Sequence, residues 1–113
     1  MTIEALEEER GHLVVLEGEA DLSAVPSFQS IIREKIAAQV SSLVVDFSKV
    51  TFVNTPIWAV LVEYFQHTSQ TGAKFAIAGL GARAEASFTI VRLDEFIPRY
   101  ATVDEAFEAL NGC

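Results

Sequence analysis

LVVDFSKVTFVNTPIWAVLVEYF, Leu43–Phe65, holds two patterns and one interruption. Leu43-Val44-Val45-Asp46-Phe47 is rich in β-branched and aromatic residues and reads as a short central strand. Thr51-Phe52-Val53 reads as a second extended piece. Asn54-Thr55-Pro56 then breaks the apolar run. From Thr55 to Thr71 apolar residues recur at helical spacing until Gly72 stops them. A strand that feeds a helix through a polar-Pro entrance predicts an α/β arrangement.

Working outward, the same two periods alternate. Lys74–Ala78 reads as a strand, Ala82–Val91 as a helix, and Phe96-Ile97 as a short strand that Pro98 closes. Thr102 caps a last helix, and Thr102-Val103-Asp104-Glu105 has capping-box spacing. Upstream, Ile3–Glu9 and Leu13-Val14-Val15-Leu16 read as two strands of a hairpin turned at Arg10-Gly11-His12. Asp21-Leu22-Ser23 reads as a helix entrance, with Ser23 as cap and Pro26 in the first turn. Val25, Phe28, Ile32 and Ile36 then mark one helix face. The expected order is β-β-α-β-β-α-β-α-β-α: one domain over residues 1–113, with a parallel or mixed sheet covered by helices on at least one face.

On a helical wheel, Ile57, Leu61, Tyr64 and Thr68 centre the core stripe of the Thr55–Thr71 helix, flanked by Val60 and Phe65. Trp58 and Val62 lie past its edge, and the apolar arc covers about 200°, wider than the ~100° of an ordinary surface helix. Thr55 projects on the same side as Trp58 and Val62. The entrance of this helix therefore combines a hydroxyl with surplus apolar surface, a composition that suits a protein contact. A phosphate on Thr55 would stand at a helix N-terminus and add about two negative charges. Read as structure alone, Asn54-Thr55-Pro56 is a helix cap and Trp58 a residue under a neighbouring helix.

The chain has 113 residues, half of them apolar, and a formal charge of −8. Seven acids (Glu4, Glu7, Glu8, Glu9, Glu17, Glu19, Asp21) against one base, Arg10, place most of that charge in the first 21 residues. Such a field argues against nucleic acid and anionic lipid as partners, since both need basic surface; it reads either as a solvated acidic face or as a surface that favours a basic protein. No apolar run reaches the ~18 residues that cross a bilayer. The start, MTIEALEEER, lacks the basic and apolar regions of a signal peptide. The single cysteine, Cys113, can form neither an internal disulfide nor a metal cluster, and a reducing cytoplasm is the expected location.

Motifs for catalysis are absent: the chain has no nucleophile elbow, phosphate loop or metal-ligand spacing. Gly79-Leu80-Gly81 lacks the third glycine of a dinucleotide site. His12 reads as a solvated turn residue and His67 as a solvated helix residue. Neither a cofactor nor a metal is expected, and the chain reads as a non-enzyme.

From about Leu13 to Leu110 the sequence resembles the STAS domain family, typified by bacterial anti-anti-sigma factors (anti-sigma factor antagonists). Gly18-Glu19-Ala20-Asp21 resembles the family's G-E-x-D turn. Val44–Val53 resembles the strand and connection that lead to its phosphorylation site, and Asn54-Thr55 stands where the family has D-S or D-T. Gly72-Ala73-Lys74, Phe96-Ile97 and Val103-Asp104-Glu105-Ala106 follow the family's order and spacing. The resemblance implies a mixed sheet of four to six strands with helices mainly on one face. It also implies a module that binds a protein partner, an anti-sigma factor or related serine/threonine kinase, in signal transduction and transcription regulation. By the same resemblance Thr55 is the candidate phosphoacceptor, with Asp21, Asn54 and Pro56 around it, and Ser23, Ile57, Trp58 and Val62 are candidate partner contacts.

The family's usual D-S-x-G-L is replaced here by Asn54-Thr55-Pro56-Ile57-Trp58. Asn54 removes a charge, Pro56 deletes one N–H, and Ile57 fills the place of a glycine. Three functional readings follow: a partner switch governed by Thr55, a constitutive scaffold of a sensory or transporter complex, and a small-ligand-binding domain. A homo-oligomer is compatible with each.

Overall fold

The computed structural model describes residues 1–112; Cys113, the lone thiol of the sequence reading, lies outside the described residues. The chain runs β1 (Thr2–Glu8), β2 (Gly11–Ala20), α1 (Val25–Ala37), β3 (Ser42–Val53), α2 (Thr55–Thr71), β4 (Lys74–Ala78), α3 (Ala82–Ile90), β5 (Arg99–Tyr100) and α4 (Val103–Leu110), with single 3-10 turns at Leu22–Ala24 and Leu93–Glu95. The five strands form one sheet in the order β1-β2-β3-β4-β5. Only β1–β2 is antiparallel, pairing Thr2 with Glu17 through Glu8 with Gly11. The β2–β3, β3–β4 and β4–β5 pairs are parallel. The sheet is therefore mixed, as expected.

Strand alternation divides the core in two. Val14, Leu16, Leu43, Val45, Phe47, Phe75 and Ile77 face one way and pack with Phe28 and Ile32 of α1, Ile57, Leu61 and Tyr64 of α2, and Phe88 of α3. Leu13, Val44, Ala76 and Ala78 face the other way and meet Ala106, Phe107 and Leu110 of α4. Three helices thus share one face and a single short helix covers part of the other.

Several boundaries differ from the sequence reading. The two extended pieces Leu43–Phe47 and Thr51–Val53 are one 12-residue strand, β3. Pairing with β2 continues across the intervening residues, because register shifts between Val15 and Glu17 and between Gly18 and Glu19 absorb the irregularity. Phe96-Ile97 is not a strand. Both amides donate to the Leu93 carbonyl, at 3.0 and 2.8 Å, which closes the 3-10 turn and leaves nothing for a ladder. Arg99-Tyr100 pairs with Ile77-Ala78 instead.

Ser23 does not cap α1. A 3-10 turn intervenes, the N-cap residue is Ala24, and the Ser23 hydroxyl donates to Asp21 Oδ1 at 2.6 Å. His12 is not a solvated turn residue either. It is the second residue of β2, with Nδ1 3.0 Å from Lys35 Nζ and Nε2 3.5 Å from Glu7 Oε1. His67 is half-buried, its ring 5.8 Å from that of Tyr64. Thr102 caps α4 as expected, accepting from the Glu105 amide at 3.1 Å. The Glu105 carboxylate reaches back past the cap and accepts from the Ala101 amide at 3.3 Å, one residue before the Thr102 amide of a capping box.

Candidate functional site

The parallel strands β2 and β3 end side by side, with Ala20 paired to Val53. The chain leaves β2 into the Asp21 turn and leaves β3 into α2. These two exits are tied together where the Asn54 amide donates to the Ala20 carbonyl at 2.8 Å. Asp21 and Asn54-Thr55 therefore meet at one end of the sheet, although thirty-odd residues separate them in sequence.

Asn54 is the N-cap of α2 in an extended conformation (φ −86°, ψ 146°), yet its side chain makes no capping bond. Thr55 is the first helical residue and is exposed. Pro56 follows it in the first turn, where a missing N–H costs little. The Ile57 amide donates to the Asn54 carbonyl at 2.9 Å. With Pro56 lacking a donor and the Ile57 donor engaged, this helix entrance offers fewer free N–H groups than a helix start without proline would.

On the other side of the pair, the Ser23 hydroxyl bond holds the Asp21 carboxyl below the ordinary carboxylate range, and the Ala24 and Ser23 amides add to that effect against partial desolvation. Asp21 is thus anionic at neutral pH. A hydroxyl and a fixed carboxylate define the polar part of the site.

The apolar part is not where the wheel put it. Trp58 is 2% exposed and Ile57 is fully buried, so neither contacts a partner as the molecule stands. Trp58 lies between Phe47 of β3 and Phe88 of α3, with ring centroids at 5.4 and 5.3 Å, and its indole N–H donates to Ser87 Oγ at 2.9 Å. α3 packs over this second apolar face of α2, which accounts for the wide arc. The exposed apolar residues at this end are instead Leu22 (63%) and Phe52 (45%), next to Asp21 and Asn54-Thr55 in sequence. Sequence reading missed both, because an apolar residue in a turn and one late in a strand each look like core. Val62 is half-buried farther along α2. With Phe65, Gln66, Leu93, Phe96 and Ile97 it lines an open apolar depression of about 250 Å³.

Among the described residues, no group of three His, Cys, Asp or Glu side chains is placed to hold a metal ion, and no helix is long and apolar enough to cross a membrane.

A family model described as STAS domain matches residues 3–106. Among solved structures, the chain superposes on an anti-sigma factor antagonist from Mycobacterium paratuberculosis with a TM-score of 0.90, at 23% identity, covering 97% of this chain and 93% of that one. The Bacillus cell fate determinant SpoIIAA in its phosphorylated form gives a TM-score of 0.76 at 16% identity, with 96% and 99% covered. A sulfate transporter family protein from Wolinella succinogenes gives 0.73 at 11% identity, with 88% and 83% covered. At these identities the likeness is one of fold. No curated protein sequence matches the chain.

Proposed function

The chain belongs to the STAS domain family, and on that premise we propose that it is a single-domain, non-enzymatic binding module that works as a partner switch. Its unmodified form binds a protein of the anti-sigma or serine/threonine-kinase type, and phosphorylation of Thr55 releases that partner. The observation that carries this reading is the exposed Thr55 at the start of α2, tied through the Asn54–Ala20 backbone bond to the end of the sheet where the anionic Asp21 turn begins, with Leu22 and Phe52 of the same two chain segments also exposed. The fold neighbours support it: SpoIIAA, named an anti-sigma factor antagonist in its unphosphorylated form, also occurs in a phosphorylated form.

The mode of release follows from the local donors. With no Pro56 N–H, and with Asp21 close by, little holds a phosphate against the helix. It projects to solvent and acts on the partner's surface by repulsion and desolvation, leaving the domain's fold as it is. The test is titration of the isolated partner with three proteins. The parent and Thr55→Val bind alike, and Thr55→Glu binds at least about tenfold more weakly, a loss of ~1.4 kcal/mol. A glutamate variant that binds as tightly as the parent removes the switch.

One observation favours a second reading. Pro56 and Ile57 reduce the donors available to an anion at Thr55, which suits a scaffold that is never phosphorylated. In that case substitutions at Thr55 leave assembly intact, while Leu22→Asp, Phe52→Asp or Val62→Asp disrupts it.

A further inference from the structure

The sheet has two margins, and they are unequal. β5 is two residues long and offers almost no ladder. β1 is seven residues long, about 23 Å at ~3.3 Å per residue. Among the described residues it pairs only with β2, and all of its residues except the half-buried Ile3 are exposed. Its pairing with β2 runs without a register shift. Long regular edges are usually blunted by proline, lysine, a bulge or a covering element. Here the strand TIEALEE has none of these, and only glutamates guard it.

Its side chains fall on two faces. Ile3 packs on the three-helix core, so Ala5 and Glu7 share that side. Leu6 pairs with Leu13 of the α4-side core, so Glu4 and Glu8 share the other. Glu7 already faces His12, and Glu8 is bonded to Arg10, whereas Glu4 has no basic partner among the described residues. A second copy of the chain is a poor occupant. It would bring two acidic hairpins, each with six acids and one base, against one another.

We propose that the free edge of β1 accepts an extended basic segment of a partner protein as a sixth strand. Backbone bonds supply the pairing, and the glutamates select lysine or arginine opposite Glu4, Glu7 and Glu8. Paired antiparallel to Ile3–Glu8, the fitting sequence is Lys-Lys-Leu-Val-Lys-Val. It sets bases against Glu8, Glu7 and Glu4, and apolar residues against Leu6, Ala5 and Ile3. This surface is distinct from the Thr55 end, so its failure and the failure of the switch are read separately.

The test uses the full chain and three synthetic peptides: the basic hexapeptide, the same peptide N-methylated at alternate residues, and its counterpart with Glu for Lys. Anisotropy measures affinity and amide exchange locates the contact. The proposal expects saturable binding of the basic peptide, slowed exchange in residues 2–8, and about tenfold or greater loss with either control. Glu4→Lys, an exposed change that leaves the fold intact, weakens binding by about fivefold. Equal binding of the N-methylated peptide would reduce the site to charge attraction alone and overturn strand addition. So would protection elsewhere, no saturation up to about 1 mM, or a concentration-dependent dimer that slows the same amides.

Discussion

The Asn54 amide donates to the Ala20 carbonyl at 2.8 Å, which joins the start of α2 to the turn that carries Asp21. This bond uses backbone groups alone. Thr55 can therefore be changed without breaking the arrangement that presents it. Thr55→Glu places an anion at the first helical position, where the helix dipole favours it by ~0.3–1 kcal/mol. Its unfolding free energy should equal or slightly exceed that of the parent in urea titration. A fall of more than about 1 kcal/mol would show that the hydroxyl is structural.

Trp58 is a core residue, so its truncation should read as lost stability. Trp58→Ala removes a side chain packed between Phe47 and Phe88 and should cost ~3–5 kcal/mol. Ser87→Ala leaves the indole N–H without its acceptor and should cost ~1–3 kcal/mol. Trp58 is the only tryptophan, so its own fluorescence reports unfolding in Ser87→Ala, and circular dichroism does so in Trp58→Ala.

Tyr64 is fully buried, and its hydroxyl has no hydrogen-bond partner among the described residues. Burial pushes its phenol up from 10.0 to about 12. Below pH 10 the group is neutral in both folded and unfolded chains, and its contribution is fully present. Between pH 10 and about 12 the unfolded chain gives up this proton and the folded chain does not, so stability falls as pH rises. Tyr64→Phe should flatten that alkaline decline. At neutral pH it should be neutral or stabilising by up to ~1 kcal/mol, since it removes an unpaired buried hydroxyl. Denaturant midpoints at pH 7, 10 and 11 for both proteins check the sign.

Two glycines separate strain from crowding. Gly72 ends α2 in the left-handed region at φ 79°, with open space where a Cβ would stand. Gly79 has φ 75°, but a Cβ there would lie 2.8 Å from Ser48 Cβ and 2.9 Å from Ser48 N. Gly72→Ala should cost ~1 kcal/mol and Gly79→Ala clearly more, ~2–4 kcal/mol, because the neighbouring strand β3 must shift. Equal costs in urea titration would contradict the close approach of Gly79 to β3.

The architecture was legible because period-2 and period-3.6 patterns alternate along the chain, and Gly72 and Thr102 mark helix ends by their own chemistry. What was lost lay between elements. The wheel showed that α2 is apolar over an arc of about 200°, but not that α3 covers the second half, so Trp58 read equally as a partner contact and as a residue under a neighbouring helix. Phe96-Ile97 has strand composition, yet Leu93 takes both amides. Ser23 has cap chemistry, but Asp21 takes its hydroxyl. In each case a partner close in space or in the local turn decided the outcome, and the residue type alone did not name that partner. The backbone bond from Asn54 to Ala20 sets the start of α2 and the Asp21 turn at one end of the sheet, while exposed Leu22 and Phe52 needed the three-dimensional surface.

The most direct test of the switch is the modification state of the protein purified from its native host under several growth conditions. Intact mass is measured first. Tryptic cleavage after Lys49 and Lys74 then isolates the peptide Val50–Lys74, which carries Thr55. The account predicts one phosphate on that peptide, located at Thr55, in at least one condition. A peptide that stays unmodified in every condition would contradict the switch and leave the scaffold reading in its place.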